Sequence, residues 1–511
     1  MALVSWLEWI VLSFVIAASF LFFYIFIFPK WRSRHIPGPK PSLLLGNALE
    51  LSNQGGAAPM VFERYRKQYG DVFQFWSFYR QIVVISHPDD IKYIIVTKNF
   101  PKAEEFNLSL SPLAGRGLLT VRKQHHQQRR RAISKQFNED FLRQLHRHMK
   151  VELKILLAKL QKASEKREPV DFDKDATSYT LDVMCRTGFG RSADTQKDTN
   201  HPIPKAVNIA LKEMYHNVAA YPIRNFFGLY TSPRLKEATR VVKEFASQVI
   251  EARKVESEQD RERRPMDLLD IFLKVEDLPD WDIIAEIATF LIAGHDTTSH
   301  TMSWLIYEVC QHPEIEEKIQ QEVDKIWGDR QDWMLRFEEI SQLEYLNMVW
   351  KETLRKHPVA ATGTFRRLDS DVTLPSCGMF LPKNTAVLVP IYLVHRNPEF
   401  WPDPEAFIPE RFSRENTIKR HPFAFQAFSS GPRNCIGQFF ATHEALTTLA
   451  SLYHFFHFSL ACNAEDVRPY HAITMKPVAR NVPDQVKSVL NSPKLPIWVT
   501  PRNSIPSVVE E

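Results

Sequence analysis

The stretch Phe428-Ser-Ser-Gly-Pro-Arg-Asn-Cys-Ile-Gly437 decides how the rest of the chain is read. It sets one cysteine, Cys435, in a glycine-rich loop just before a helix-like run, Gln438 to Leu449, with Arg433 two residues upstream. A thiol at a helix N-terminus beside a cation loses its proton readily, and a thiolate binds soft or borderline metals. Gly431 and Gly437 let the backbone fold tightly around the sulfur and let a flat group come close. Backbone N–H groups of such a loop can donate to the sulfur and tune a bound metal. For a lone cysteine the simpler reading is a buried, inert turn residue. Phe428, both glycines and Arg433 together favour a ligand.

Working outward, the other four cysteines (Cys185, Cys310, Cys377, Cys462) are scattered, with no C-x-x-C pair. Neither a disulfide framework nor a zinc site is indicated, which fits a reducing compartment. A formal charge of +5 over 511 residues is mild and indicates no nucleic-acid partner. Trp9 to Phe28 is an uncharged apolar run, and about 20 such residues cross one bilayer. Glu8 precedes it and the basic exit Pro29-Lys-Trp-Arg-Ser-Arg34 follows, so the positive-inside rule puts everything after Lys30 in the cytosol. The exit lacks the small residues of a signal-peptide cleavage site. Pro37, Pro39 and Pro41 stop the membrane helix from running into the body. The expected division is a lumenal N-terminus (1–8), an anchor (9–28), a basic and proline-rich hinge (29–41), one large domain (42–502) and a frayed tail (503–511).

Within that domain most of the chain reads as helix. Val72 to Trp76 and Gln81 to Ser86 read as strands, and Glu251 to Arg264 as a solvated charged connector. Asp282 to Cys310 reads as one long buried helix, interrupted by the polar run Ala293-Gly-His-Asp-Thr-Thr-Ser-His300. Buried carboxylates and hydroxyls are costly unless they serve something, and threonines bonding back to the i−4 carbonyl can open a helix locally. His126 and Arg130, at i and i+4, share a helix face in the basic segment Val121–Lys135, where Lys123, Arg129 and Lys135 read as solvated. Glu352 and Arg355, at i and i+3, can pair, and Pro409-Glu-Arg-Phe412 follows.

As it stands, F-x-x-G-x-R-x-C-x-G resembles the haem-binding loop of the cytochrome P450 family, the haem-thiolate monooxygenases. Four motifs occur in that family's order, and the resemblance runs from the anchor to about residue 480. It implies a mainly α fold, a helical bundle around haem b with a small β-region. Cys435 would be the iron ligand, favouring O–O cleavage, with Phe428, Arg433 and Gly437 around it. Asp296 and Thr297 match the acid–alcohol pair that relays protons to the reacting oxygen. Arg130, His126 (where tryptophan is usual) and Arg366 match residues that bond the haem propionates, although the neighbouring Arg367 leaves the register open. Glu352, Arg355 and Arg411 match the buried network that supports the haem loop. Met475-Lys-Pro477 resembles the C-terminal substrate-contact turn, and Tyr215 to Tyr230 lies between helices that roof the substrate pocket.

The function so implied is insertion of one oxygen atom of O2 into a C–H bond of a lipophilic substrate, fatty acid or sterol. Electrons from NADPH would arrive through NADPH-cytochrome P450 reductase, with cytochrome b5 as a further partner, at the endoplasmic reticulum membrane. Fatty-acid ω-hydroxylases of this branch often carry a glutamate that esterifies the haem, and this chain has Ala293 there. Two alternatives stand beside this reading: a haem-thiolate isomerase or dehydratase that uses no O2, and a non-catalytic sterol- or haem-binding membrane protein. The Asp296–Thr297 pair speaks against the first, and the complete motif set against the second.

Overall fold

Residues 280–309 form the longest helix described, and much of the molecule packs on it. The computed structural model describes residues 2–52, 58–198, 200–219, 231–275, 278–490, 493–503 and 505. The principal helices are α1 (Ala2–Phe22), α2 (Lys123–Ser134), α3 (Glu139–Lys166), α4 (Phe172–Phe189), α5 (Pro202–Ala219), α6 (Pro233–Lys254), α7 (Asp280–Val309), α8 (Glu344–Lys356) and α9 (Gln438–Phe455). Apolar side chains from most of them form one large core. The fold is mainly α, as the motifs imply.

Helix α7 begins after Pro279 with Asp280 and Asp282 in its first turn, where carboxylates complement the helix dipole. Its polar centre does not break it. Thr297, Thr298, Thr301 and Ser303 each donate to the carbonyl four residues back, and the α-helix runs through without interruption. The expected local opening is therefore absent, because these hydroxyls accept a place beside the helical bonds rather than replacing them. Gly294 brings α4 close: a Cβ there would sit 2.6 Å from Met184 Sδ.

The apolar helix α1 stands outside the body, with Phe14 and Phe20 largely exposed. It continues through a π-turn (Phe23–Ile27) into Phe28–Arg32, and the 25 residues from Glu8 to Arg32 are long and apolar enough to cross a membrane. Pro29 has no N–H to give one turn back, and the widened turn just before it absorbs that loss. Lys30 Nζ then donates to the carbonyls of Ser42 (2.9 Å) and Leu43 (2.6 Å), tying the helix exit to the body.

The main sheet holds β1 (Val72–Ser77), β2 (Arg80–Ile85), β3 (Thr364–Arg367) and β4 (Ala386–Val389) in the order β1-β2-β4-β3, with only β2–β4 parallel. A hairpin of β5 (Val467–His471) and β6 (Met475–Ala479) reaches α7. Its turn is Ala472–Thr474. Met475 to Pro477, expected as the turn, lies in β6 because buried Met475 pairs with His471 and its N–H donates to Val359 O. The connector 251–264 is also less solvated than expected, since Arg253 is clamped between Asp267 (2.6 Å) and Asp270 (2.8 Å). Of the aromatic segment 215–230, residues 220–230 lie outside the described residues.

Candidate active site

Cys435 lies between a short 3-10 turn (Gly431–Arg433) and the start of α9, and its N–H donates to Phe428 O at 2.9 Å. Ser429 and Gly431 both take positive φ, which turns the loop sharply around the sulfur. The Gly437 N–H donates to Sγ, and the Arg130 guanidinium adds positive potential. The residue is accessible yet closely surrounded by protein. Burial nevertheless raises the thiol pKa more than these two contacts lower it. A bound metal would favour the thiolate by displacing that proton.

Arg130 is on α2, and both its Nη atoms donate to Asn434, one to the backbone O and one to Oδ1 (2.6 Å). It therefore ties α2 to the cysteine loop. One turn earlier, His126 is buried, and its pKa falls to about 3 through burial and the nearby Arg433, Lys102, Arg130 and Arg366. Burial, Arg433 and Arg366 likewise bring Lys102 down to about 7. Burial pushes Arg366 and Arg433 to about 10, and Arg366 is among the charges that repel Arg433. Arg433 gives Nη2 to Val121 O (3.0 Å), but its Nη1, and the Nε and Nη1 of Arg366, are buried with no partner among the described residues. Strand alternation resolves the arginine register: Arg366 is 1% exposed among these cations, whereas Arg367 turns to the other face and donates to Asn384 O (2.7 Å). Lys102 has no motif to announce it and was missed.

On α7 almost every side chain near the middle is buried, but Ala293 is exposed and Thr297 half-buried, giving an accessible strip at i and i+4. Thr297 Oγ1 donates to Ala293 O at 2.7 Å. Asp296 faces another way. Its Oδ2 accepts from the Thr474 hydroxyl in the hairpin turn, and its Oδ1 lies 3.1 Å from His300 Nε2.

Glu352 and Arg355 on α8 are fully buried and form a two-point pair, Nε and Nη2 each donating at 2.7 Å. Arg355 also donates to the carbonyls of Pro404 (2.7 Å), Ala406 (3.0 Å) and His395 (3.2 Å). Arg411 Nε approaches Glu352 to 3.3 Å while its Nη atoms hold Pro402 O and Asp403 O. His395 extends the network, accepting the Gln426 N–H at 2.7 Å just ahead of the cysteine loop. Arg129, expected to be solvated, instead bonds Asp282 (2.6 Å) and Glu286 (3.0 Å) on α7.

The family model that describes cytochrome P450 matches residues 36–483. The chain belongs to the cytochrome P450 family. It is 32% identical to human cytochrome P450 4B1 over 441 residues, covering 83% of this chain and 84% of that protein. To rat cytochrome P450 4F3 it is 31% identical (82% and 83% covered), and to rabbit cytochrome P450 3A6 28% (91% and 97%). The enzyme is a cytochrome P450 monooxygenase with haem b as its cofactor. The residues fit that group: orphaned buried donors on Arg366 and Arg433, with Lys102 beside them, suit two propionates. Cys435 has the chemistry of the iron ligand. When bound, a thiolate-ligated haem supplies O2 activation for insertion of one oxygen atom into a substrate bond. The apolar N-terminal helix is long and apolar enough to span a membrane, which fits a membrane-anchored P450.

Proposed function

We propose that the protein oxidises a lipophilic substrate drawn from the bilayer, a fatty acid or a sterol, at the endoplasmic reticulum membrane. NADPH-cytochrome P450 reductase supplies the electrons, and cytochrome b5 serves as a second donor. Cys435 holds the iron, while Gly437 N–H and Arg130 balance the charge on its sulfur. Arg366, Arg433 and His126 bind the propionates, with Lys102 as a further cation. Thr297 presents a hydroxyl on the accessible strip of α7, and Asp296 beside it moves the proton. Glu352, Arg355 and Arg411 keep the cysteine loop in shape. Residues 42–502 are the catalytic domain, and the segment before them is anchor and hinge.

The observation that carries this reading is the set of buried guanidinium N–H groups on Arg366 and Arg433 with no acceptor among the described residues, beside an accessible cysteine whose loop Arg130 ties to α2. Burying such charge unpaired is costly, so the site is built for an anionic partner. The test is a screen of fatty acids and sterols for a shift of the haem Soret band, followed by turnover with the reductase. A fatty acid or sterol that shifts the band and yields a product containing one atom from O2 supports the proposal. A screen in which no fatty acid or sterol shifts the band would refute the substrate class. Product formed without NADPH or O2 would refute the reaction.

A further inference from the structure

A cavity of about 500 Å3 lies where the exit of the apolar N-terminal helix meets the main sheet. Its wall draws on the exit (29–36), the β1–β2 hairpin (76–82), Phe365 and Arg367 of β3, and the segment 380–386. Strand β3 divides it from the haem cations, because Phe365 and Arg367 face the cavity and Arg366 the opposite side. Two contacts hold the helix exit against the hairpin. Phe26 meets Tyr79 edge-on with ring centroids 6.2 Å apart, and Lys30 Nζ lies 5.7 Å from the Trp76 ring centroid. The 25 residues from Glu8 to Arg32, at about 1.5 Å each, outreach a hydrocarbon core of about 30 Å. Arg32 therefore emerges among headgroups, with exposed Trp31 beside it as an interfacial aromatic.

The chemistry of the wall is divided. Arg32, His35 and Lys383 are exposed, and their side chains have no hydrogen-bond or ion-pair partner among the described residues. Arg80 and Arg367 also line the cavity but are already engaged within the protein. The rest of the wall includes Ile36, Trp76, Ile82, Phe365 and Phe380, and Phe380 is 50% exposed. We propose that this cavity binds one anionic phospholipid from the leaflet at the helix exit. Its phosphate seats at Arg32, His35 and Lys383, where a guanidinium gives two parallel N–H bonds. The first carbons of its chains cover the apolar wall, and their tails stay in the bilayer. A soluble phosphate would satisfy the cations and leave Phe380 in water. A zwitterionic headgroup would bring its own ammonium against Arg32 and Lys383.

The test uses the full-length holoprotein in detergent micelles. It is incubated with phosphatidic acid, phosphatidylserine or phosphatidylcholine of one acyl composition, and retained lipid is counted by native mass spectrometry. The expected result is one phosphatidic acid or phosphatidylserine per chain and little phosphatidylcholine. Arg32→Gln with Lys383→Gln lowers that retention about tenfold, through the loss of two interfacial cations. Phe380→Ser lowers it with no change of charge. Arg34→Gln with Lys40→Gln removes as many exposed charges from the hinge, outside the cavity wall, and retains lipid like wild type. The thiolate Soret band of each reduced, carbon-monoxide-bound variant checks that it has folded. Equal retention of phosphatidylcholine, or an equal loss in the Arg34 and Lys40 variant, would reduce the effect to diffuse surface charge and overturn the site. Displacement of the lipid by excess inorganic phosphate would make it a soluble-phosphate site and overturn it too. The inference rests on the helix lying in the bilayer, as the proposed function has it, and alkaline carbonate extraction of membranes reads that separately. Protein released by carbonate would sink the anchor and this site together. Protein that stays in the membrane but retains no lipid selectively would sink the site alone.

Discussion

Removing the Glu352 carboxylate should cost this P450 its haem rather than its kinetics. Glu352 takes both donors of Arg355 at 2.7 Å, accepts the Ile408 N–H at 2.9 Å, and lies 3.3 Å from Arg411. Glu352→Ala leaves the Arg355 guanidinium, with no accessible surface, facing carbonyls alone. Breaking a buried pair in this way costs about 3–5 kcal/mol, and a stranded Ile408 N–H adds about 1–3 kcal/mol. Whole-domain stability is about 5–15 kcal/mol, so the loss is a large share of it. The strain falls on residues 402–411 and, through His395 and Gln426, on the segment entering the cysteine loop. Haem per polypeptide and the denaturant midpoint are the measurements. The control is Glu410→Ala, whose carboxylate pairs with Lys318 at the surface and is worth at most about 1 kcal/mol. Expected are little or no bound haem and a lowered midpoint for Glu352→Ala, and near-wild-type behaviour for Glu410→Ala. Normal haem content with an unchanged midpoint in Glu352→Ala would refute the argument.

Other outcomes follow from the same geometry. Arg366→Ala should weaken haem retention about 10- to 100-fold, the worth of a lost charged hydrogen bond, while Arg367→Ala, whose side chain turns to Asn384, should not; haem transfer to apomyoglobin measures both. Since position 293 is alanine, the haem should extract freely into acidified organic solvent, and retention on denatured protein would contradict this. Reversing exposed Lys123 and Lys135 should slow reductase-driven turnover, more so at low salt, and leave peroxide-driven turnover near normal. Arg129 is excluded from that test, because its ties to Asp282 and Glu286 mean that reversing it would damage α7.

The local features were readable because each is written in consecutive residues. Cys435 with its glycines, the Glu352–Arg355 spacing, the length of α7 and the two strands at Val72 and Arg80 all depend on neighbours a few positions away. What was not readable joins distant positions. Lys102 meets Arg366 and Arg433, Arg129 reaches 153 residues ahead to Asp282, and His300 meets Asp173 from 127 residues away. A basic run looks the same in sequence whether its members face water or a carboxylate on another helix. Likewise the Asp-Thr pair reads as one unit, yet a helix turns successive side chains about 100° apart, and Asp296 and Thr297 face different surroundings.

The most direct test of the central assignment is the carbon-monoxide difference spectrum of the reduced protein, wild type against Cys435→Ala. Cys435 is the cysteine in the loop that Arg130 and the Gly437 N–H converge upon, while Cys185 lies within α4 and Cys310 caps the end of α7. Wild type should show the red-shifted Soret band of a thiolate-ligated haem, and Cys435→Ala should lose it. A variant that kept that band would place the iron on another sulfur and contradict the site described here.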